Sequence, residues 1–140
     1  MRRIDVGTHE RADEGERGSA VVDFVLVGVL VVALLLAVLQ VAVYVHLRNV
    51  IVASAQQGAR YAANADVPVE AGAGRTLEIV GQATSARTAA GLACESVQEV
   101  DGTGLTLIVV RCAGEVPSLF APLGDLLPLS ATGRAVEEAP

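Results

Sequence analysis

Few residues in this chain have the type and spacing that chemistry requires. There are two cysteines, Cys94 and Cys112, and two histidines, His9 and His46. Two thiols with no nearby His and no C-x-x-C spacing are too few ligands for zinc, so a disulfide is the leading reading, with metal or thiol chemistry as its rival. His9 lies in a polar N-terminal stretch and His46 at the end of an apolar one. Neither has a nucleophile and an orienting acid that could complete a catalytic set. Gly72-Ala73-Gly74 lacks the Lys-Ser/Thr that completes a phosphate-binding loop. Asp125, Glu137 and Glu138 have no partner at a metal-ligand spacing. No catalytic, cofactor-binding or metal-binding residue is therefore assigned, and the chain reads as non-enzymatic. One carboxylate stands apart: Asp23, at the mouth of a long apolar run.

That run, Phe24 to Val45, is 22 residues without a formal charge. At 1.5 Å per residue a helix of this length spans about 33 Å, enough for a hydrocarbon core of about 30 Å. A carboxylate costs about 2.5–3.5 kcal/mol at the bilayer centre and less near the surface. At the start of a helix Asp23 also meets the favourable end of the macrodipole, which by itself accounts for its presence. The alternative is a specific cationic partner. If the chain is cut after Gly18, Ser19 becomes a free α-amino terminus and Asp23 the fifth residue of the mature protein. The Asp23 of one subunit could then neutralise the buried ammonium of a neighbour.

Composition narrows the setting. All ten basic residues are Arg, and the net charge is −6. An acidic chain without a basic cluster does not suit general binding to nucleic acid or anionic lipid. Residues 1–17 are polar and mixed in sign, and the apolar run that follows is too long for the core of a secretory signal peptide. Four Arg precede the run, whereas Arg48 and Arg60 follow it. This bias places the N-terminus in the cytoplasm. Paired cysteines beyond the run agree, because disulfides persist outside the reducing cytoplasm.

Beyond the membrane segment the helix continues to about residue 65. Leu47, Ile51, Ala55, Gly58 and Ala62 recur on one face, while Asn49, Gln56, Arg60 and Asn64 form a polar face. The small-residue face suits packing on the chain's own globular part or on neighbouring subunits. Pro68, Gly72 and Gly74 mark residues 66–75 as a loop. Thr76 then caps a second helix over about 77–90, which Gly91 stops. Residues 94–100 and 105–113 read as strands around Asp101-Gly102-Thr103-Gly104, a hairpin turn. If Asp101 faces Leu105, the register puts Cys94 directly opposite Cys112, within reach of a bridge worth about 3 kcal/mol. Leu126 to Val136 supplies a third, edge strand with Pro128 near its start.

The segments RGSAVVDF (17–24), RNVIVASAQQGARYAA (48–63) and, more loosely, the stretch from Phe120 to Ala135 resemble type IV pilins and pseudopilins. The closer resemblance is to TadE-like proteins, minor pseudopilins of the tight-adherence (Flp-type) pilus system. Asp23 stands where that family more often has Glu. The resemblance implies cleavage at Gly18–Ser19 by a prepilin peptidase, methylation of the new terminus, and Asp23 as the assembly carboxylate. It also implies partners among other pilin or pseudopilin subunits and the Tad membrane machinery, in the cytoplasmic membrane or a surface pilus.

The expected fold class is α+β. A long N-terminal transmembrane helix extends into a small extracytoplasmic domain with a second helix and a β-hairpin or three-stranded antiparallel sheet. The expected boundaries are a leader at 1–18, the membrane helix at 19–47, its extension at 48–65, the α+β domain at 66–136 and a frayed tail at 137–140. The competing function is a single-pass anchored binding protein with no pilus role.

Overall fold

The computed structural model describes residues 10–117 and 126–138. His9 and Asp125 lie outside the described residues. The elements in chain order are helix α1 (Glu10–Ala62), helix α2 (Ala71–Ala83), a one-turn helix α3 (Ala86–Ala90), and strands β1 (Leu92–Val100), β2 (Thr106–Pro117) and β3 (Leu126–Val136). The class is α+β, as the sequence indicates. The chain divides into two compact units, one up to Val38 and one from Leu39 onward.

In the first unit α1 presents apolar side chains that no other part of the described structure covers. Every residue from Gly18 to Val32 is exposed, including Phe24 at 79%. The helix over Gly18–Ala62, of which this is the first part, is long and apolar enough to cross a membrane.

The second unit is built on a three-stranded antiparallel sheet in the order β1-β2-β3. One face packs on the last turns of α1 and on α2. The small-residue face of α1 is the buried one: Ile51, Ala55, Ala62 and Gly58 are all buried, and Leu47 is half-buried. Leu47, Ile51 and Ala55 share a core with Val80 of α2 and Val110, Cys112, Leu129 and Ala131 of the sheet, and Ala62 packs with Ile108. Of the two readings of that face, the structure shows packing on the chain's own globular part.

Three glycines allow the close approach. A side chain on Gly133 of β3 would run into the backbone of Ala55 and Gln56, so α1 lies directly on the third strand. A side chain on Gly58 of α1 would meet Thr76 and the Gly72 carbonyl of α2. A Cβ on Gly72 would in turn meet Ser96 Oγ at 2.7 Å and Ala62 Cβ at 3.0 Å.

This crossing corrects the reading of residues 66–90. Helix α2 begins at Ala71, not after Thr76, and residues 71–75 are helical. Thr76 is no cap: it is fully buried in mid-helix and its hydroxyl donates to the Gly72 carbonyl at 2.8 Å. Glycines are poor helix formers when exposed. Here Gly72 is kept because contact with Gly58 and Ala62 outweighs propensity. The expected second helix is also two helices. Thr84 ends α2, and Ser85 caps α3 by accepting the Thr88 N–H at 3.1 Å.

The hairpin has the expected register. Asp101 N–H donates to Leu105 C=O at 2.9 Å, and Cys94 pairs with Cys112. The two are joined by a disulfide. β3 spans the expected residues and pairs with β2 from Leu107↔Val136 to Pro117↔Leu126. The chain is tied down beyond β3 as well. Glu137 N–H donates to Thr106 C=O and Glu138 N–H to Ala63 C=O, so the expected fraying does not reach these two residues.

Candidate functional site: the head of the apolar helix

The residues singled out by sequence, Gly18, Ser19 and Asp23, lie on the exposed part of α1. The helix is continuous through Gly18. A Cβ at Gly18 would meet nothing within 4 Å. Glycine in a helix interior costs about 1 kcal/mol relative to alanine. At Gly58 close packing offsets that cost; at Gly18 no packing among the described residues does. Ser19 and Asp23 are likewise exposed, and Asp23 has no ion pair among the described residues.

The second unit limits how much of the apolar run is free. Gln40 is 2% exposed, and Tyr44 packs against the core and donates from its hydroxyl to the Pro128 carbonyl at 3.2 Å. The last turns of the run are thus taken up by the folded unit. Residues 19–39 are exposed or half-buried among the described residues, about 31 Å of helix at 1.5 Å per residue. That is about one membrane thickness.

The remaining candidates do not converge. His46 is exposed. Among the described residues no group of three or more His, Cys, Asp or Glu side chains is placed to hold a metal ion. Glu137 and Glu138 are held by their backbone at the end of the sheet, and Gln98 Nε2 donates to Glu137 Oε2 at 2.6 Å. A surface hollow of about 560 Å³, lined by Arg60, Tyr61, Asn64 and Arg75 among others, is wide open. Its Arg75 guanidinium lies 5.9 Å from the Tyr61 ring centre and pairs with Glu78 at 2.7 Å.

The turn and the outer sheet face carry the resolved charge interactions. Asp101 Oδ1 accepts from the Thr103 hydroxyl at 2.6 Å, the Thr103 N–H at 2.8 Å and the Leu105 N–H at 3.0 Å. These bonds, that from the Thr103 hydroxyl foremost, hold its carboxyl below the ordinary value of 3.8. Arg111 donates to Glu99, which raises the arginine further above its ordinary value.

Two residues that sequence reasoning left without a role are Tyr44 and Gln56. Gln56 Oε1 accepts the Arg134 N–H of β3 at 3.4 Å, as Tyr44 serves Pro128. Gln56 was readable only as part of a polar helix face; its spacing of 12 from Tyr44 puts the two about 120° apart around the helix.

The family model described as TadE-like protein matches residues 18–60. Over that stretch the chain is similar to TadE-like proteins. The match opens at Gly18 and ends near the close of α1, so it covers the exposed helix and its buried continuation but none of the sheet. No curated protein and no solved structure gives a match. The TadE-like family suggests a protein associated with a Tad pilus, and a structural rather than enzymatic one.

Proposed function

We propose that this protein is a minor pilin or pseudopilin of a Tad/Flp-type pilus, a structural subunit held in the membrane by α1. Residues 1–18 are its cytoplasmic leader, and a prepilin peptidase cuts between Gly18 and Ser19. Ser19 then heads a free apolar helix, with the rest of the chain on the extracytoplasmic side of the cytoplasmic membrane. Asp23 serves as the assembly carboxylate. It neutralises the α-amino group of an adjacent subunit as helices pack side by side in the pilus or its assembly platform.

The observation that carries this reading is a coincidence at one end of one helix. The TadE-like match begins at Gly18, where no packing calls for glycine. Five residues on, a carboxylate stands unpaired in a segment with just enough free length to cross a bilayer. A carboxylate buried in lipid without a partner is costly, and pairing with a neighbour removes that cost. The disulfide supports the orientation, because such bonds persist outside the cytoplasm.

The test is Gly18→Ala together with Asp23→Ala in cells that make the pilus. Gly18→Ala should leave the leader attached. Asp23→Ala should permit cleavage but abolish incorporation. A single-pass anchored protein with no pilus role would tolerate both changes with its surface display intact.

A further inference from the structure

The two edges of the sheet are finished differently. In an antiparallel ladder, alternate residues of an outer strand turn their N–H and C=O inward to the neighbour and outward to the edge. The Asp101–Leu105 bond fixes the phase for β1: Cys94, Ser96, Gln98 and Val100 direct their backbone groups away from β2. The Glu137–Thr106 bond fixes it for β3, whose outward residues are Pro128, Ser130, Thr132, Arg134 and Val136.

The β3 edge is engaged by α1 at its two ends. Pro128 has no N–H and its carbonyl takes the Tyr44 hydroxyl. The Arg134 N–H is taken by Gln56, and Glu138, next in the same phase, donates to Ala63 at the end of α1. On β1 the four outward N–H groups and four outward C=O groups have no partner among the described residues. Val100 is 69% exposed, and Ala93, Glu95 and Gln98 are exposed as well. Such an edge is a template for an added strand.

Charge says what kind of strand. On the outer face β1 carries Glu95 and Glu99, and a single guanidinium, Arg111, serves both: it lies opposite Glu95 and donates to Glu99. One negative charge is left over beside the edge. Pairing of β1 with β1 of a second copy would bring Glu95 and Glu99 of both chains beside the shared edge with only the two Arg111 opposite them, an unfavourable arrangement. We infer that the open edge of β1 is an interaction surface for an extended segment of a different protein, one that carries basic residues on the face it shares with Glu95 and Glu99. The backbone of Cys94 to Val100 supplies affinity, and the two glutamates select the partner and exclude self-pairing.

The test uses the full chain with its disulfide intact, in detergent micelles. Three synthetic peptides serve as probes: eight residues alternating Val and Lys, the same with Glu for Lys, and the same with Pro for Val. The Val-Lys peptide should slow amide exchange at Cys94, Ser96, Gln98 and Val100 by tenfold or more at saturation. The glutamate peptide should not, and neither should the proline peptide, which has the same charge but cannot form a ladder. Glu95→Lys should weaken the Val-Lys peptide about fivefold and strengthen the glutamate peptide. Ser96→Pro removes a central edge N–H and should abolish protection while Val109 and Val110 stay slow to exchange. If Ser96→Pro does not fold, Glu95→Lys alone decides. Equal binding of the lysine and proline peptides, no slowing at the four edge amides, or protection of those amides by self-association without peptide would each overturn the inference.

Discussion

Single residues decide where the elements of this protein touch, and glycines show it best. Gly133 and Gly74 are the same residue type in opposite settings. Gly133→Ala drives a methyl group into the Ala55–Gln56 backbone, whereas a Cβ at Gly74 meets nothing within 4 Å. The first change should destabilise by about 3 kcal/mol, through overpacking against a backbone that cannot yield. The second should stabilise by up to about 1 kcal/mol, because alanine is the better helix former. Chemical denaturation of the two variants checks both signs. The sequence reads Gly74 as a loop residue and gives Gly133 no role within its strand; only the tertiary contact separates them.

Asp101 gives a pH-dependent prediction at the same scale. Its carboxyl sits below the ordinary value of 3.8 in the folded state because three hydrogen bonds favour the charged form. A depressed folded value means that the contribution is complete above the unfolded value and is lost as pH falls through the folded one. Asp101→Ala should therefore lower the thermal midpoint at pH 7, and its difference from the unaltered protein should shrink as pH drops below about 3.8. A difference that grows on acidification would contradict the assignment. The Asp-Gly-Thr-Gly string makes this turn legible in advance, since turn chemistry is local.

At the scale of elements, legibility follows the same division between local and distant causes. The hairpin and its cysteine pair are set by a turn and by alternation along two strands, so the pairing of Cys94 with Cys112 can be read before the fold is seen. β3 is readable from its apolar residues and Pro128. Helix α2 is not, because its start depends on Gly72 meeting Gly58, residues far apart in sequence. The length of the free apolar helix is not either. Nothing in the run from Phe24 to Val45 announces that Gln40 and Tyr44 belong to the folded unit. The head of that helix is the reverse case: Gly18 and Asp23 are legible in sequence, and the structure adds that neither is explained by packing. The disulfide links the central strand to the open edge strand. Its removal in a Cys94→Ala, Cys112→Ala variant should cost about 3 kcal/mol, read as a lower denaturation midpoint in the oxidised protein relative to the parent. An unchanged midpoint would mean that the bridge restrains the unfolded chain little.

At the scale of the whole molecule, one helix has two roles. From Gln40 to Ala62 it is the support on which the sheet is assembled, and its side chains finish one sheet edge. From Ser19 to Leu39 it is an apolar segment whose residues are exposed or half-buried among the described residues. Bilayer and neighbouring helices are the two environments that satisfy such a segment, and under the proposed function Asp23 favours the second. The measurement that tests this most directly is the intact mass of the protein purified from cells with and without an active prepilin peptidase. The account predicts a chain beginning at Ser19 when the peptidase is active and at Met1 when it is not. A chain beginning at Met1 in both would contradict it.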